Sequence, residues 1–527
     1  MKLPRAVPRD PSRRRFLLSG LAAGSAVALP ALIGACSGGD AGPDGPGTTD
    51  ACASQFRAGD AEAIPGPDEL PTLAEMEARS DALARSAPDL VEVRALGQSR
   101  AGRPIRLFSI GEGPRSALIV GAPHPNEPVG CATIEQFMEA LLRAPRLRER
   151  LGYRWHFIKA IDPDGVVLNE GWFKGRRTPA RYLASFYRPA FRAQPEYTFP
   201  LEVAGYRFDA PTPENLCWRK ALELTRPQLQ CSLHNADIGG AFFLTSRNVP
   251  ALTRALARLP RSASVSVNAA GEPFAETAPL GPGVFEFPDL RAMVQAVAAR
   301  NLPVADYWNA GCSSAQFAAE RYGTFSMTCE VPLWETAGAS VPPASGCGSA
   351  NLVEQQLRAN GEARALLSRH LPGLESKARN GDERMLYEAL ADAARNVSVQ
   401  EPRLGRLLRI KRLQGWLPMA FQRLLGVEGG NLEPMPCSIH ASMALALRLG
   451  NLRLWAMLMR LCDQVSRHSP DGPIEQGRRE AGRHLEQQLA GLELEAPLRA
   501  VPLGTLVSLQ YRAILEAASC AGARGAA

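Results

Sequence analysis

Three short strand-like runs in this chain each lead into ionisable side chains. Ala117 to Val120 precedes His124-Pro125-Asn126-Glu127, Leu229 to Leu233 delivers His234, and Phe325 to Cys329 ends at Glu330 with Val331-Pro332 behind it. Ala117 to Val120 is apolar throughout, and all three runs have the length and bounds of strands. Open α/β sheets build their sites at the carboxyl ends of such strands. An imidazole and a carboxylate three residues apart at a strand end can chelate one ion. Two histidines with one carboxylate form a zinc ligand set that leaves a fourth position open for water. A further strand-end carboxylate, Glu330, is what metal-assisted hydrolysis needs as a general base.

Between these landmarks the element types alternate. Thr72-x-x-Glu75 reads as a capping box opening a helix to about Ala87. Strands are expected near Leu90 to Ala95, Ile105 to Ile110, Ala117 to Val120 and Tyr153 to Ile161, with a helix from Pro128 to Leu142. Thr212-Pro213 opens another helix that leads back to the His234 strand. The pattern predicts an α/β domain over residues 64–349, a mixed sheet with helices on both faces. Residues 170–208 lack periodicity and are rich in Arg, Tyr, Phe and Pro, so they read as a functional insertion bordering the site. Asn268 to Asp289 reads as another loop. From 350 to 527 the spacing turns helical, giving an α-helical C-terminal domain with a break at Gly450-Asn451 and no strand pattern. The histidines there (His370, His440, His468 and His484) are too scattered to suggest a second metal site.

The order of motifs, His124-x-x-Glu127, then Asp162-Pro163-Asp164-Gly165, then Ser232-Leu233-His234-Asn235, then Thr328-Cys329-Glu330-Val331-Pro332, resembles the landmarks of the carboxypeptidase A-like (funnelin) zinc metallocarboxypeptidases. Leu96-Gly97-Gln98-Ser99-Arg100-Ala101-Gly102-Arg103-Pro104-Ile105 resembles that family's strand-turn-strand entry, and the likeness spans about Pro71 to Gly338. It implies one zinc ion per chain on His124, Glu127 and His234, with Glu330 as catalytic base. Asp162 stands where the family turn has Asn, and a tight turn accepts either. Asn235 follows the zinc histidine on a segment that faces substrate in the family. By spacing, Arg177 falls near the family's carbonyl-polarising Arg, and Arg188 near the pair that grips the substrate carboxylate, a task suited to a planar guanidinium. The family's substrate-facing Tyr has no aligned equivalent, and Tyr322 or Tyr307 is the candidate substitute.

The N-terminus carries Ser12-Arg13-Arg14-Arg15-Phe16-Leu17, a twin-arginine signature, before an apolar stretch from Phe16 to Ala35. Ile33-Gly34-Ala35-Cys36 resembles a bacterial lipobox. Residues 1–36 are therefore expected to be an export signal ending in a lipidated Cys36. Residues 37–63 follow as a flexible tether rich in Gly, Pro and small polar residues, leaving the protein membrane-anchored and facing the periplasm or cell exterior. The eleven cysteines form no Cys-x-x-Cys pair. Cys231 and Cys329 read as buried fillers, and a Cys312–Cys347 or Cys52 bridge is open to an oxidising compartment. A net charge of +7 over 527 residues, without a dense basic patch, argues against nucleic-acid binding. The expected activity is removal of a C-terminal residue from a peptide. The alternatives are hydrolysis of cell-wall peptides or another amide on the same scaffold, or a non-enzymatic exported binding protein.

Overall fold

The computed structural model describes residues 64, 66–268, 277–336, 349–414 and 437–521. The signal, Cys36, the whole tether, Cys52 and Cys347 lie outside the described residues. In chain order the first elements are α1 (Leu73–Ser86), β1 (Val91–Gln98), β2 (Pro104–Ile110), β3 (Arg115–Gly121), α2 (Val129–Arg143), α3 (Pro145–Leu151) and β4 (Tyr153–Ile158). They are followed by α4 (Pro163–Asn169), α5 (Pro179–Ala184), the hairpin β5 (Leu201–Val203) and β6 (Tyr206–Phe208), and α6 (Pro213–Thr225). Next come β7 (Leu229–Ile238), β8 (Phe242–Thr245), α7 (Pro250–Ser262), β9 (Pro279–Gly281), β10 (Val284–Glu286), α8 (Leu290–Ala298), α9 (Ser314–Tyr322) and β11 (Phe325–Thr336). The C-terminal third adds α10 (Ser349–His370), α11 (Pro372–Glu375), α12 (Gly381–Gln414), α13 (Cys437–Ser466), α14 (Gly472–Glu495), β12 (Leu498–Ala500) and α15 (Leu503–Ala521).

The strands form one ten-stranded mixed sheet in the order β1-β2-β4-β3-β7-β11-β8-β10-β9, with β12 on β11. Its centre is parallel: β4, β3, β7 and β11 run side by side in one direction. Apolar clusters lie on both faces, one including Ile119, Phe137 and Trp155, the other Leu118, Val120 and Trp218. Alternation along β3 sends Ile119 to one cluster and Leu118 and Val120 to the other, so each face of the strand is apolar for its own core. Thr72 caps α1 as expected, accepting from Glu75 N at 3.2 Å while Glu75 accepts from Thr72 N at 2.9 Å.

Several expectations are corrected. Strands β7 and β11 do not stop at His234 and Glu330 but continue to Ile238 and Thr336. Pro332 is tolerated inside β11 because one edge changes partner around it: pairing with β8 ends at Glu330 and pairing with β12 begins at Trp334. The expected loop from Asn268 to Asp289 contains β9 and β10, which extend the sheet at its far edge; residues 269–276 lie outside the described residues. Gly450-Asn451 does not break a helix, since α13 runs through it and Asn451 Oδ1 accepts from the Gln356 side chain at 3.2 Å. The helical end is also not one unit. β12 joins the central sheet, and α15 packs on α2, α7 and β11, so residues 498–521 belong structurally with the sheet. A three-residue strand carries too little pattern to be read from sequence.

Among the described residues, no helix is long and apolar enough to cross a membrane. Cys231 and Cys329 are fully buried and free, Cys312 is free rather than bridged to Cys347, and Cys520 is disulfide-bonded.

Candidate active site

The central parallel strands bring the motif residues together. β3 ends at Gly121, and Ala122 then takes a left-handed conformation with φ of 48°, turning the chain so that His124 follows just beyond the strand end. Gly165, in the Pro-Asp-Gly turn, backs this loop: a Cβ there would stand 2.4 Å from the Pro125 ring. Gly130 does the same for α2, where a Cβ would meet Leu233 Cβ at 2.6 Å. The two glycines therefore allow the His124 loop, the turn and β7 to close on one another. On β11, Glu330 is in register with His234 on β7.

The side chains converge accordingly. Ligand atoms of His124, Glu127 and His234 all lie within 4.8 Å of one another, and all three residues are buried. His124 Nδ1 is 3.0 Å from both Glu127 oxygens, and His234 Nδ1 is 2.8 Å from Glu127 Oε2. Glu330 Oε1 stands 3.7 Å from the same His234 Nδ1. The Nδ1 edges of both rings thus face one carboxylate, with a second close by. This donor set fits zinc, which takes imidazole nitrogen and carboxylate oxygen and in catalytic sites leaves a position open.

The charges are unevenly held. Burial and the nearby Arg188 push the His124 imidazole down to about 4. Burial would also lower His234, but Glu196 and Glu127 outweigh it and hold that imidazole well above its usual value. Burial likewise opposes the charge of Glu127, yet His124 and Arg188 overcome it and keep the carboxyl well below its usual value. Such buried, opposed charges are typical of functional sites.

Arg188 reaches the cluster, donating from Nη1 to Glu127 Oε1 at 2.9 Å, but does not line the cleft. Three other proposed substrate residues do not reach the cleft. Arg177 Nη2 donates to the Val501 carbonyl, and its own carbonyl accepts from Trp334 Nε1 at 3.3 Å. Asn235 follows His234 on the strand, so it faces the other side of the sheet; its Oδ1 accepts from Val129 N at 3.3 Å. Tyr322 ends α9 and packs with Phe317 in the second apolar cluster. Tyr307 is likewise absent from the cleft lining.

Glu196 was not singled out from the sequence. It sits in a 3-10 turn at Pro195–Tyr197, inside the aperiodic insertion, and is buried. Its Oε2 is 3.1 Å from His234 Nε2 and 3.9 Å from His124 Nε2. Gln510 of α15 was also missed: its amide donates to the His234 carbonyl at 2.7 Å and its oxygen accepts from Thr133 at 2.7 Å. His124, His234, Glu196 and Glu330 form one side of a cleft. Its other walls are apolar, chiefly Leu244, Phe287, Leu290, Met293 and Trp308.

Residues 76–187 match the sequence model of a family described as zinc carboxypeptidase. That segment carries the likeness to zinc carboxypeptidases, and the donor set gathered around it is one that a zinc metallopeptidase uses. The match includes His124 and Glu127 and ends before Arg188, His234 and Glu330, whose assignment rests on the geometry above. No curated protein sequence matches the chain. Similar solved structures include a metallo-carboxypeptidase from Burkholderia cenocepacia (14% identity, TM-score 0.31, covering 64% of this chain and 70% of that one). Another is carboxypeptidase A from Helicoverpa armigera (14%, 0.35, 64% and 74%). A third is a metallo-carboxypeptidase from Pseudomonas aeruginosa in complex with (2-guanidinoethylmercapto)succinic acid (16%, 0.29, 62% and 69%). At these TM-scores the superpositions carry no residue correspondence.

Proposed function

We propose that this zinc carboxypeptidase removes a C-terminal residue with an apolar side chain from peptides, using His124, Glu127 and His234 as zinc ligands. The observation that supports this reading is the clustering of those donors, with His124, His234 and Glu330 along one side of a cleft whose remaining walls are chiefly apolar. The chemistry zinc supplies when bound is Lewis-acid activation of a carbonyl and of the attacking water. Glu330 takes that water's proton and passes it to the amine as the peptide C–N bond breaks. Arg188, already 2.9 Å from Glu127, supplies positive charge for the substrate's terminal carboxylate or the developing oxyanion. Apolar walls reward an apolar side chain and leave a charged one desolvated without a partner.

Amino-acid release from N-blocked dipeptides ending in Phe, Leu, Lys or Asp tests the proposal. Phe and Leu peptides should be cut, a chelator should stop release, and added zinc should restore it. His124→Ala and His234→Ala should each lose most bound zinc. Full zinc retention in both variants would remove them from the site. Release from muropeptides or acyl amino acids but from no peptide would favour the amide-hydrolase alternative.

We further propose that residues 1–36 direct twin-arginine export, that Cys36 becomes the lipidated N-terminus, and that residues 37–63 tether the enzyme to a membrane surface. The disulfide at Cys520 is in keeping with an oxidising compartment. Unchanged precursor processing and membrane fractionation in Cys36→Ala would rule the anchor out.

A further inference from the structure

We infer that Gln510, on the last helix of the chain, is a positioning residue for the metal site. Its amide joins the backbone of the strands that carry His234 and Glu330 to the helix that follows Glu127. The inference rests on the ligand assignment proposed above and concerns a residue that assignment does not use.

β3 pairs with β7 only as far as Gly121 and Leu233, because the chain turns away there into the His124 loop. Past that point β7 keeps β11 on its other edge up to Ile238. His234 is the first residue beyond the break, and a strand carbonyl left there without a donor would be costly in so buried a place. Gln510 Nε2 donates to that carbonyl at 2.7 Å and lies 3.5 Å from the carbonyl of Cys329, the residue before Glu330. The amide cannot be turned round, because its oxygen would then face a carbonyl that only accepts. Oε1 therefore points to α2, where Thr133 Oγ1 donates to it at 2.7 Å. That helix starts at Val129, just after Glu127. One fully buried amide thus touches the three elements that deliver Glu127, His234 and Glu330.

Packing alone does not call for an amide here. Leu506, Val507, Leu509, Ala513 and Ile514 surround Gln510 along α15, all buried and none with a side chain that hydrogen-bonds. Burying an amide among them is unfavourable unless its bonds are made, so an apolar side chain would dock the helix at least as well. The chain passes through the whole helical region before α15 returns to pack on α2, α7, β7 and β11. Gln510 then fixes the peptide plane that follows His234 relative to α2, and with it the direction in which the His234 side chain leaves the strand. It touches neither metal nor substrate and acts through the backbone of residues that do.

Three measurements on the full-length protein test this: zinc affinity by competition with a chromogenic chelator, the visible spectrum of the cobalt-substituted form, and the denaturant midpoint of the metal-free form. Gln510→Leu removes the amide's bonds and should still bind one equivalent of zinc. Its dissociation constant should rise about 10-fold, the lower end of the range for partners of metal ligands, with altered cobalt bands. Gln510→Glu keeps an acceptor for Thr133 but sets a second acceptor against the His234 carbonyl, and should do at least as much damage. Ile514→Ala, one turn further along α15, is the control: its cavity should lower the midpoint and leave the zinc constant and the cobalt bands as in the wild type. A lower midpoint with a wild-type constant and spectrum in Gln510→Leu would overturn the inference, since Gln510 would then only hold the helix. An equal loss of affinity in Ile514→Ala would overturn it too. If neither Gln510 variant folds, Thr133→Val decides: it frees the amide to turn, so a raised constant supports the inference and a wild-type constant and spectrum overturn it. Retention of zinc by His124→Ala and His234→Ala would instead sink the underlying ligand assignment, so the two failures are distinguishable.

Discussion

The histidines of the metal cluster and those of the helical region are partnered in opposite ways. At the cluster, His124 and His234 lie between Glu127 on their Nδ1 edges and Glu196 on their Nε2 edges, with Glu330 beside them. Among the helices α10 to α14 two histidines each meet a single carboxylate, His370 with Glu480 at 3.0 Å and His468 with Glu383 at 2.9 Å, while His484 stacks on Trp455. The helical pairs each join one packed helix, or the turn at its end, to another. They are complete as they stand, each histidine already facing its carboxylate. The cluster concentrates carboxylates on two rings in a buried place, an arrangement that gains from a bound cation. Carboxylates in the helical region join one helix to another, whereas those at the cluster surround two buried imidazoles.

The strongest way to break this comparison is Glu330→Gln, which keeps the shape of the side chain and removes its basic oxygen. Turnover on the best peptide should fall by about 10²- to 10⁴-fold or more, with zinc content unchanged. Near wild-type turnover would take Glu330 out of the mechanism, while loss of zinc would make it a ligand.

The seam between the two regions comes next. Arg453 of α13 is buried against the sheet side, where its Nη2 pairs with Asp237 and lies 3.2 Å from Tyr182 Oη. Tyr182 in turn donates to Asp237 Oδ1 at 2.8 Å and accepts from Asn126, inside the metal motif, at 3.3 Å. Two further contacts, Arg460 to the Ser185 carbonyl and Phe191 N to Asp392, also bind the helices to the segment that carries Arg188. Arg453→Met strands the Asp237 carboxylate and should cost about 3–5 kcal/mol in a denaturant titration. Adding Asp237→Leu should restore much of that loss. A single-variant cost under about 1 kcal/mol would mean that the seam is no stronger than a surface pair.

The cluster was legible in the sequence because each of its residues follows a strand-like run, and a buried strand fixes what comes after it. The same runs gave the parallel centre of the sheet. Glu196 was not legible: it follows a proline in a segment without periodicity, and its place is set by a hydrogen bond from Asn215 on a distant helix. Arg453 and Gln510 each lie within helical spacing, where nothing local tells a residue crossing to the sheet from one facing water. Asn235 was misplaced for a different reason. The alternation of a strand sends it away from His234, whereas the family likeness implies a substrate-facing side chain there.

The smallest effect concerns one carboxylate from each region, and the expected signs are opposite. Burial pushes the Asp162 carboxyl up to about 6, with Arg100 Nη2, 3.9 Å away, pulling the other way. A raised carboxyl binds its proton more tightly in the folded state, so this group's contribution falls as pH rises from about 4 to about 6 and stays unfavourable above. Asp162→Asn keeps an acceptor for Gly165 N, which the native Oδ1 binds at 3.0 Å, and removes the charge. It should therefore raise stability above pH 6 by an amount on the order of 2–3 kcal/mol, at about 1.4 kcal/mol per pH unit, and have little effect below pH 4. Glu383 is the reverse case: burial alone would raise its carboxyl, but backbone donors from Arg379 and Asn380 and the His468 ring outweigh burial and lower it. Its stabilisation is present above the ordinary carboxylate range and is lost as pH falls through its depressed value, so Glu383→Gln should weaken the protein at neutral pH and matter less in acid. Unfolding midpoints of both variants between pH 3 and 8 read the two signs directly. A destabilised Asp162→Asn at neutral pH would show that Arg100 holds that charge well after all, and would erase the distinction between the regions at this position.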